Sequence, residues 1–428
     1  MNLPTRRQFL QTSAAVAAGS YFVSESPVFA AKAANEKLVV AIMGCNGRGS
    51  ALAKAFSTTP GCEVGYICDV DERAVAKTVA QVAAAQPRKP EGVADFRRAL
   101  DDKTVDCLVC AAPNHWHAPA TILGCAAGKH VYVEKPCSHN AREGELAVAA
   151  SRKHNRVVQM GSQRRTFPAI IEGIGKVHAG EIGKVHYART WYNNRRPEIG
   201  HGQAAEIPSW LDWSLWQGPA PEKPFLDNVV HYNWHWRWHW GNGELGNNGV
   251  HALDVARWGM QVDFPIRVTS GGGKYRHADD QETPDTHVVT YNFPGGKSIM
   301  WEGLSWSPYG SGGSMFGISF HGDNGTLVID GNGFKIFDPK NKEIAAQSGR
   351  GGDQDHVANF LDCCRSGQRP NADIAEAHKS TLLCHLGNIA HRVNRVLTTS
   401  EKDGHIQGDE EAMQLWGREY RPGWEPKV

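Results

Sequence analysis

The sequence predicts an α/β protein in two parts: a doubly wound parallel sheet, followed by a second α/β domain with a large, mostly antiparallel open sheet. Three observations predict it. From residue 37 short apolar runs alternate with amphipathic stretches, KLVVAIM then ALAKAFSTT, CEVGYICDV then ERAVAKTVAQVAAA, and such alternation implies parallel strands joined by helical crossovers. After about residue 161 the texture changes: GKVHYARTWY, THVVTYNF, KSIMWEGLSW and GTLVID alternate in period two between Gly, Pro and Asn, the signature of antiparallel pairing with one solvated face. The length of 428 residues, with 41% apolar and 21% charged residues, suits two globular domains.

The elements follow in order. Residues 1–33 read as a twin-arginine export signal: TRRQFL stands directly before a small-residue apolar run, with VFA and AKA as candidate cleavage tripeptides, so an exported, periplasmic location is expected. Residues 34–160 form the parallel-sheet domain. Residues 161–428 form the second domain, closing with the helical patterns HVANFLDCCRSG and IAEAHKSTLLCHLGNIAHRVNRVL. No later stretch reaches the ~18 unbroken apolar residues of a membrane span. Forty-six basic against 45 acidic residues leave a net charge of +1, which gives no footprint for nucleic acid and points to a small-molecule partner. The ten cysteines lie in or beside apolar runs or in a helical pattern and lack zinc-ribbon spacing, so free buried thiols are expected, without disulfides or metal.

The turn after the first strand reads MGCNGRGS. Gly44, Gly47 and Gly49 are small where a backbone must approach a pyrophosphate seated on a helix N-terminus, and Asn46 stands at the second glycine position of the dinucleotide fingerprint. Asn tolerates left-handed backbone better than most residues, so the pattern is weakened but kept. Asp69 ends the second apolar run twenty residues after Gly49, the spacing at which an acid bonds ribose hydroxyls and repels a 2′-phosphate, which favours NAD over NADP. Two further strand ends, AAPNHWHAP at 111–119 and VEKP at 133–136, fall on the same side of such a sheet. Lys135 precedes a proline, which drives it into extended backbone and toward the cleft.

Together Gly44-x-Asn46-Gly47-Arg48-Gly49, Asp69, Pro113-Asn114-His115-Trp116-His117 and Glu134-Lys135-Pro136 resemble the Gfo/Idh/MocA family of nicotinamide-dependent sugar and cyclitol oxidoreductases. The resemblance runs from about residue 37 to the end. It implies a Rossmann domain that holds NAD, then an α/β domain whose open sheet mediates homo-oligomer contacts. It also implies cofactor contacts from those glycine-turn residues, Asp69, Pro113, Asn114, His117, Glu134, Lys135 and Gln163. In the family a helix carries an aspartate and, four residues on, a histidine that takes the substrate hydroxyl proton. Here the matching segment is GNGELGNNGVHALDVARW: His251 matches the histidine, and Asn247 stands where the aspartate is expected. On a regular helix Asn247, His251, Asp254 and Trp258 form one stripe. The implied catalytic set is Lys135, His251 and Asn247.

One stretch is unusual. HYNWHWRWHWGNG, 231–243, sets Trp at 234, 236, 238 and 240, and nine of the 14 tryptophans fall between 191 and 258. Trp at every second residue suits an extended strand with His235, Arg237 and His239 opposite, whereas histidines four apart would share a helix face. No carboxylate stands among them, so a sugar platform is expected rather than a metal site: flat indoles stack on a C–H face while His, Arg and Asn seek hydroxyls. Core packing of individual indoles is the competing reading. Arg164, Tyr192, Trp234, His235, Trp236, Arg237, Trp238, His239 and Asp254 are the expected substrate contacts. The sequence thus points to an exported NAD-dependent oxidoreductase acting on a ring hydroxyl of a sugar, glycoside or cyclitol. Two alternatives stand beside it, a redox-neutral glycosidase or lyase of the same superfamily and a sugar-binding module that keeps NAD without catalysis. The glycosidase branch lacks the lysine of Glu-Lys-Pro, which this chain keeps.

Overall fold

The computed structural model describes residues 37–428; the export signal expected over 1–33 lies outside the described residues. Among the described residues the main strands form two sheets. The first is parallel throughout, in the order β3-β2-β1-β4-β5-β6, built from β1 (Leu38–Met43), β2 (Cys62–Cys68), β3 (Glu91–Val93), β4 (Cys107–Cys110), β5 (His130–Val133) and β6 (Val158–Met160). This is the doubly wound sheet expected of the first domain. Its strands are buried on both faces, which is why they read as nearly continuous apolar runs. Helices α1 (Gly47–Ser57) and α2 (Glu72–Ala83) cover one face; α3 (Asn114–Ala126) and α4 (Ala141–Lys153) cover the other. The strand order reverses between β1 and β4, and the crevice at their carboxyl ends is where ligands bind in such sheets.

With β8 (Arg267–Gly273), β9 (Thr286–Phe293), β14 (Glu343–Gln347) and β15 (Leu397–Thr398), the second sheet has nine strands among the described residues, in the order β14-β13-β12-β11-β7-β10-β9-β8-β15. Its centre is β7 (Val185–Asn193), paired parallel with β10 (Lys297–Leu304) and antiparallel with β11 (Phe316–Gly322); the remaining pairs are antiparallel. Alternate residues such as Val289, Tyr291, Ile299 and Trp301 face inward and are fully buried. They pack under α6 (Val250–Met260) and α8 (Ile374–Val393), while α5 (Pro168–His178) covers the β12 (Gly325–Asp330) and β13 (Gly333–Phe337) end.

The helical tail does not stay with this sheet. Val357, Phe360, Leu361 and Cys364 of α7 (Gln354–Ser366) join Phe56 and Tyr132 in the core of the first domain, so a segment far beyond residue 160 completes it. The ten cysteines are free and buried.

Candidate active site

The crevice at the strand ends is a cavity of about 450 Å³. Its first wall is the glycine turn. Gly44 has φ of +78°, and a Cβ there would stand 2.5 Å from the backbone nitrogen of Ala112; at Gly47 a Cβ would meet nothing, because that side of the backbone is open. α1 begins at Gly47 with no side-chain cap and no acid in its first turn, so its N–H groups and positive dipole end are left for an anion. Gly44, Asn46, Gly47, Arg48 and Gly49 all line the cavity. Asp69 lines it too, its carboxylate fixed by the backbone N–H of Cys45 at 2.6 Å and of Asp71 at 3.0 Å. An open glycine turn, an uncapped helix start and an acid at the end of β2 fit a dinucleotide. The family's NAD would supply a hydride acceptor here.

The second wall comes from the ends of β4 and β5. Pro113, Asn114, His117, Glu134 and Lys135 line it as expected. His117 is clamped between the carbonyls of Pro136 and Ala112, at 2.6 and 2.7 Å, which fastens one strand end to the other. Arg48 lines the cavity but gives its guanidinium to Glu134 at 2.8 Å and to both oxygens of Asp353 at 2.8 and 2.6 Å. Gln163 sits behind Glu134, donating to Tyr132 at 3.2 Å. Asp353 precedes α7, and nothing in the local sequence marked it as a partner.

Lys135 reaches across to the second domain. Its ammonium donates to the backbone carbonyl of Asn247 at 2.9 Å and to the Asn247 Oδ1 at 2.8 Å. Asn247 lies in one turn of π-helix, Leu245–Gly249, that runs into α6, and the wider turn presents both oxygens to the lysine. Burial holds the Lys135 ammonium below the usual lysine range. His251, one turn on, makes no hydrogen bond to any described residue, and burial together with the charge of Lys135 keeps its imidazole well below its usual value. A neutral, unengaged imidazole has the chemistry to accept a proton, and a fixed ammonium the chemistry to stabilise an oxyanion.

The face of α6 that carries Asp254 and Trp258 packs on Arg165, so Asp254 is not a substrate contact. Asp254 is 2% exposed and bound bidentate by Arg165 at 2.8 Å, with Ser380 donating at 2.7 Å, and Trp258 lies 4.9 Å from the Arg165 guanidinium carbon. Asp254 therefore belongs to a buried ion pair and not to a substrate surface.

The tryptophan stretch is not a strand either. Residues 233–236 make a 3-10 turn, and backbone bonds Arg237 to Trp234, Trp240 to Arg237 and Gly241 to Arg237 continue it as successive turns. Neighbours three apart then share a side, not neighbours two apart. Trp234 and Trp240 join Leu211, Trp213, Trp216 and Phe225 in a separate aromatic core. Trp236 is buried under Arg196, whose guanidinium pairs with Glu244. Arg237 is engaged by Asn228 and Asp280, both at 2.9 Å. Trp238 and His239 line a different cavity with His139 and Arg418, and His239 bonds the carbonyl of Pro221. Of the nine expected substrate contacts, only Trp234 and His235 line the first cavity. His235 stacks 3.6 Å from Trp234 and is pushed down to about 3 by burial, hence neutral. Tyr192 is half-buried, facing Phe316 in the neighbouring strand, with Arg164 over the Phe316 ring at 4.0 Å.

The aromatic core forms one side of the cavity through Trp216 and Trp234. His231 bonds Asp71 at 2.9 Å, the Arg73 guanidinium lies 3.3 Å over Trp210, and Asp212 donates its N–H to Val70, so the insert is stitched to the chain just past Asp69. Tyr232 and Trp216, which sequence reasoning did not select, line the cavity from this side.

Residues 38–162 match the oxidoreductase family model for an NAD-binding Rossmann fold, and residues 185–426 match its C-terminal alpha/beta domain. The chain belongs to the Gfo/Idh/MocA family. Among curated Gfo/Idh/MocA relatives it is 32% identical over 222 residues to a glycosyl hydrolase family 109 protein of Saccharopolyspora erythraea, covering 44% of this chain and 48% of that one. It is 24% identical over 227 residues to levoglucosan dehydrogenase of Pseudarthrobacter phenanthrenivorans, 52% of this chain and 51% of that one. The chain thus matches about half the length of these relatives. In fold it resembles aldose-aldose oxidoreductase of Caulobacter crescentus, complexed with glycerol: TM-score 0.67 at 19% identity over 85% of this chain and 100% of that one.

For a Gfo/Idh/MocA cofactor domain with Asp69 placed in this way, NAD should bind far more tightly than NADP. Asp69→Ala should narrow the gap by about 10-fold or more, read by fluorescence titration with both cofactors. Equal affinities in the unaltered protein would remove Asp69 from this role.

Proposed function

We propose that the protein is an exported NAD-dependent oxidoreductase that oxidises a ring hydroxyl of a sugar, glycoside or cyclitol with its cofactor held in place. The observation that carries this reading is the Lys135–Asn247 contact in the cavity wall, with the His251 imidazole, which has no hydrogen-bond partner among the described residues, one helical turn beyond Asn247. His251 receives the hydroxyl proton, Lys135 stabilises the alkoxide that forms, and the carbon gives up hydride. Asn247 fixes the lysine without a negative charge. The aromatic wall, fastened to the chain just past Asp69, supports retention of cofactor, and the TRRQFL segment supports export of a protein already loaded. Homo-oligomer contact through the second sheet is part of the same reading, supported by its outward Tyr187, Met300 and exposed Val288.

A second reading, transient oxidation followed by bond cleavage and return of hydride, is favoured by the likeness to a glycosyl hydrolase family 109 protein. Prolonged dialysis followed by a glycoside panel tests both. Near-stoichiometric retained NAD and turnover without added cofactor are expected. Mass spectrometry then separates oxidised sugar from cleaved glycoside. Protein that is empty after dialysis, and active only with added NAD, would defeat the retained-cofactor reading.

A further inference from the structure

A second cavity, of about 490 Å³, opens among α8, the turns around Trp238 and the segment 414–419, and it shares no lining residue with the first. That volume lies in the range of small-molecule sites, roughly 300–1,000 Å³. Three cations line it, Lys223, Arg392 and Arg418, and none of them forms an ion pair with a described residue. Arg418 is built into the wall. Its Nε donates to the carbonyl of Glu419 at 3.2 Å and its Nη1 to the Nδ1 of His139, also at 3.2 Å. His139 gives its Nε2–H to the carbonyl of Trp238 at 3.0 Å, so its Nδ1 is an acceptor, and burial keeps the ring neutral. Glu143, the buried acid nearby, is occupied by the His139 N–H and the Tyr420 hydroxyl, both at 2.9 Å. The Arg418 guanidinium is therefore fixed by neutral groups along one edge, and its Nη2 makes no hydrogen bond to any described residue. Arg392 and Lys223 are exposed; the Arg392 guanidinium carbon lies 5.4 Å over the Trp238 ring, and the Lys223 ammonium 5.9 Å from the centre of the Trp240 ring.

Two carboxylates also line the cavity: Glu282, which accepts the Trp238 N–H at 2.7 Å, and Glu419, which is exposed. Neutral acceptors complete the wall. His239 gives its Nε2–H to the carbonyl of Pro221 at 2.8 Å, which leaves Nδ1 to accept. Buried Asn388 donates its amide to the carbonyl of Asn242 at 2.9 Å, and its own Oδ1 has no described partner. An open guanidinium edge matches the paired oxygens of a carboxylate or phosphate, and imidazole and amide acceptors match hydroxyls. We propose that this cavity is a second ligand site, for an oxyanion carried on a polyhydroxy small molecule, a sugar acid or a sugar phosphate, with the oxyanion on the open edge of Arg418 and hydroxyls on His239 and Asn388.

Calorimetric titration of the NAD-saturated protein tests it, with glucuronate and glucose 6-phosphate as probes and glucose and inorganic phosphate as controls. One or both probes should bind about 10-fold or more tighter than glucose, the range of a charge-assisted hydrogen bond, and the tighter of the two names the oxyanion. Arg418→Met should remove that gain and Arg418→Lys should restore part of it. Arg392→Met, at an exposed residue without a hydrogen bond, should weaken it in the same direction. Lys135→Met, in the first cavity, should leave it unchanged. A gain that survives both arginine variants but is lost in Lys135→Met puts the ligand in the first cavity and overturns the proposal. Glucose binding as tightly as the two probes overturns it as well, as does the absence of binding by any of them. Inorganic phosphate binding as tightly as glucose 6-phosphate removes the polyol and overturns the stated ligand class. None of these outcomes bears on the dehydrogenase reading, since turnover is not read.

Discussion

Lys135→Met and His251→Ala should each lower turnover on the order of 10²-fold or more while the protein keeps its cofactor. In the proposed reaction the two side chains act at one oxygen: His251 takes its proton and Lys135 stabilises the alkoxide from which hydride then leaves the carbon. Neither holds the glycine cradle, so bound NAD after gel filtration should be unchanged. Asn247→Asp adds a carboxylate where Lys135 now meets an amide, and should raise the lysine's affinity for its proton. The pH profile carries the sign. Burial holds His251 below the ordinary imidazole value of about 6.5, so it stays neutral, and able to accept a proton, further into acid than a free histidine. Burial also lowers Lys135, so its ammonium is lost at a less alkaline pH than a free lysine's. The kcat/KM plateau should therefore sit shifted toward acid. Asn247→Asp should move its alkaline limb upward. An unmoved alkaline limb in that variant would separate Lys135 from the rate, and near-normal turnover in Lys135→Met would do the same directly.

The fold should lose most of its stability between about pH 6.5 and pH 5, before the carboxylates titrate. Among the described residues six histidines are buried with depressed values: burial lowers His115 and His117, pushes His287 and His385 down to about 3, and pushes His356 and His378 down to about 4. A group whose folded value lies below its unfolded one adds stability that is complete above the unfolded value and is lost as pH falls toward the folded value. The unfolded chain takes up protons from about pH 6.5 downward while the folded chain resists. At about pH 5 each of His287, His356, His378 and His385 costs about 2 kcal/mol, and these four together rival the 5–15 kcal/mol that holds a typical domain. His201 is shifted the opposite way by Asp280, but it is exposed and its ion pair in water offsets little. Urea midpoints by circular dichroism from pH 8 to pH 5 give the measurement. A flat midpoint across that range would show that these imidazoles are solvated in the folded state; His385→Gln should flatten the slope by one proton's worth.

Much of the first domain was legible because its signals are local. A strand buried on both faces must be apolar throughout, a backbone that admits a pyrophosphate must be glycine at Gly44, and the acid that ends β2 lies at a fixed chain distance from that turn. The period-two strands around Val289 and Trp301 were legible for the same reason, since one face is buried and the other is not. Lys135, Asn247 and His251 could be assigned together because the motifs that carry them are short and ordered along the chain.

The misreadings share a different cause. Alternating tryptophans imply an extended strand only if the backbone is extended; at 233–241 successive turns are made by bonds between neighbouring carbonyls and N–H groups, and side-chain identity carries little trace of that choice. Asp254 lies a regular helical step from His251, yet Arg165 and Ser380, brought in from 89 and 126 residues away, decide that it is a buried ion-pair member. Asp353, 305 residues from Arg48, and α7, which crosses back to the first domain, belong to the same class. The sequence by itself determined the α/β plan and the dinucleotide turn, because each rests on propensity or spacing within one segment. Tertiary structure alone decided which charges are matched with one another, because an ion pair depends on proximity in space, and distant segments meet only once the chain has folded.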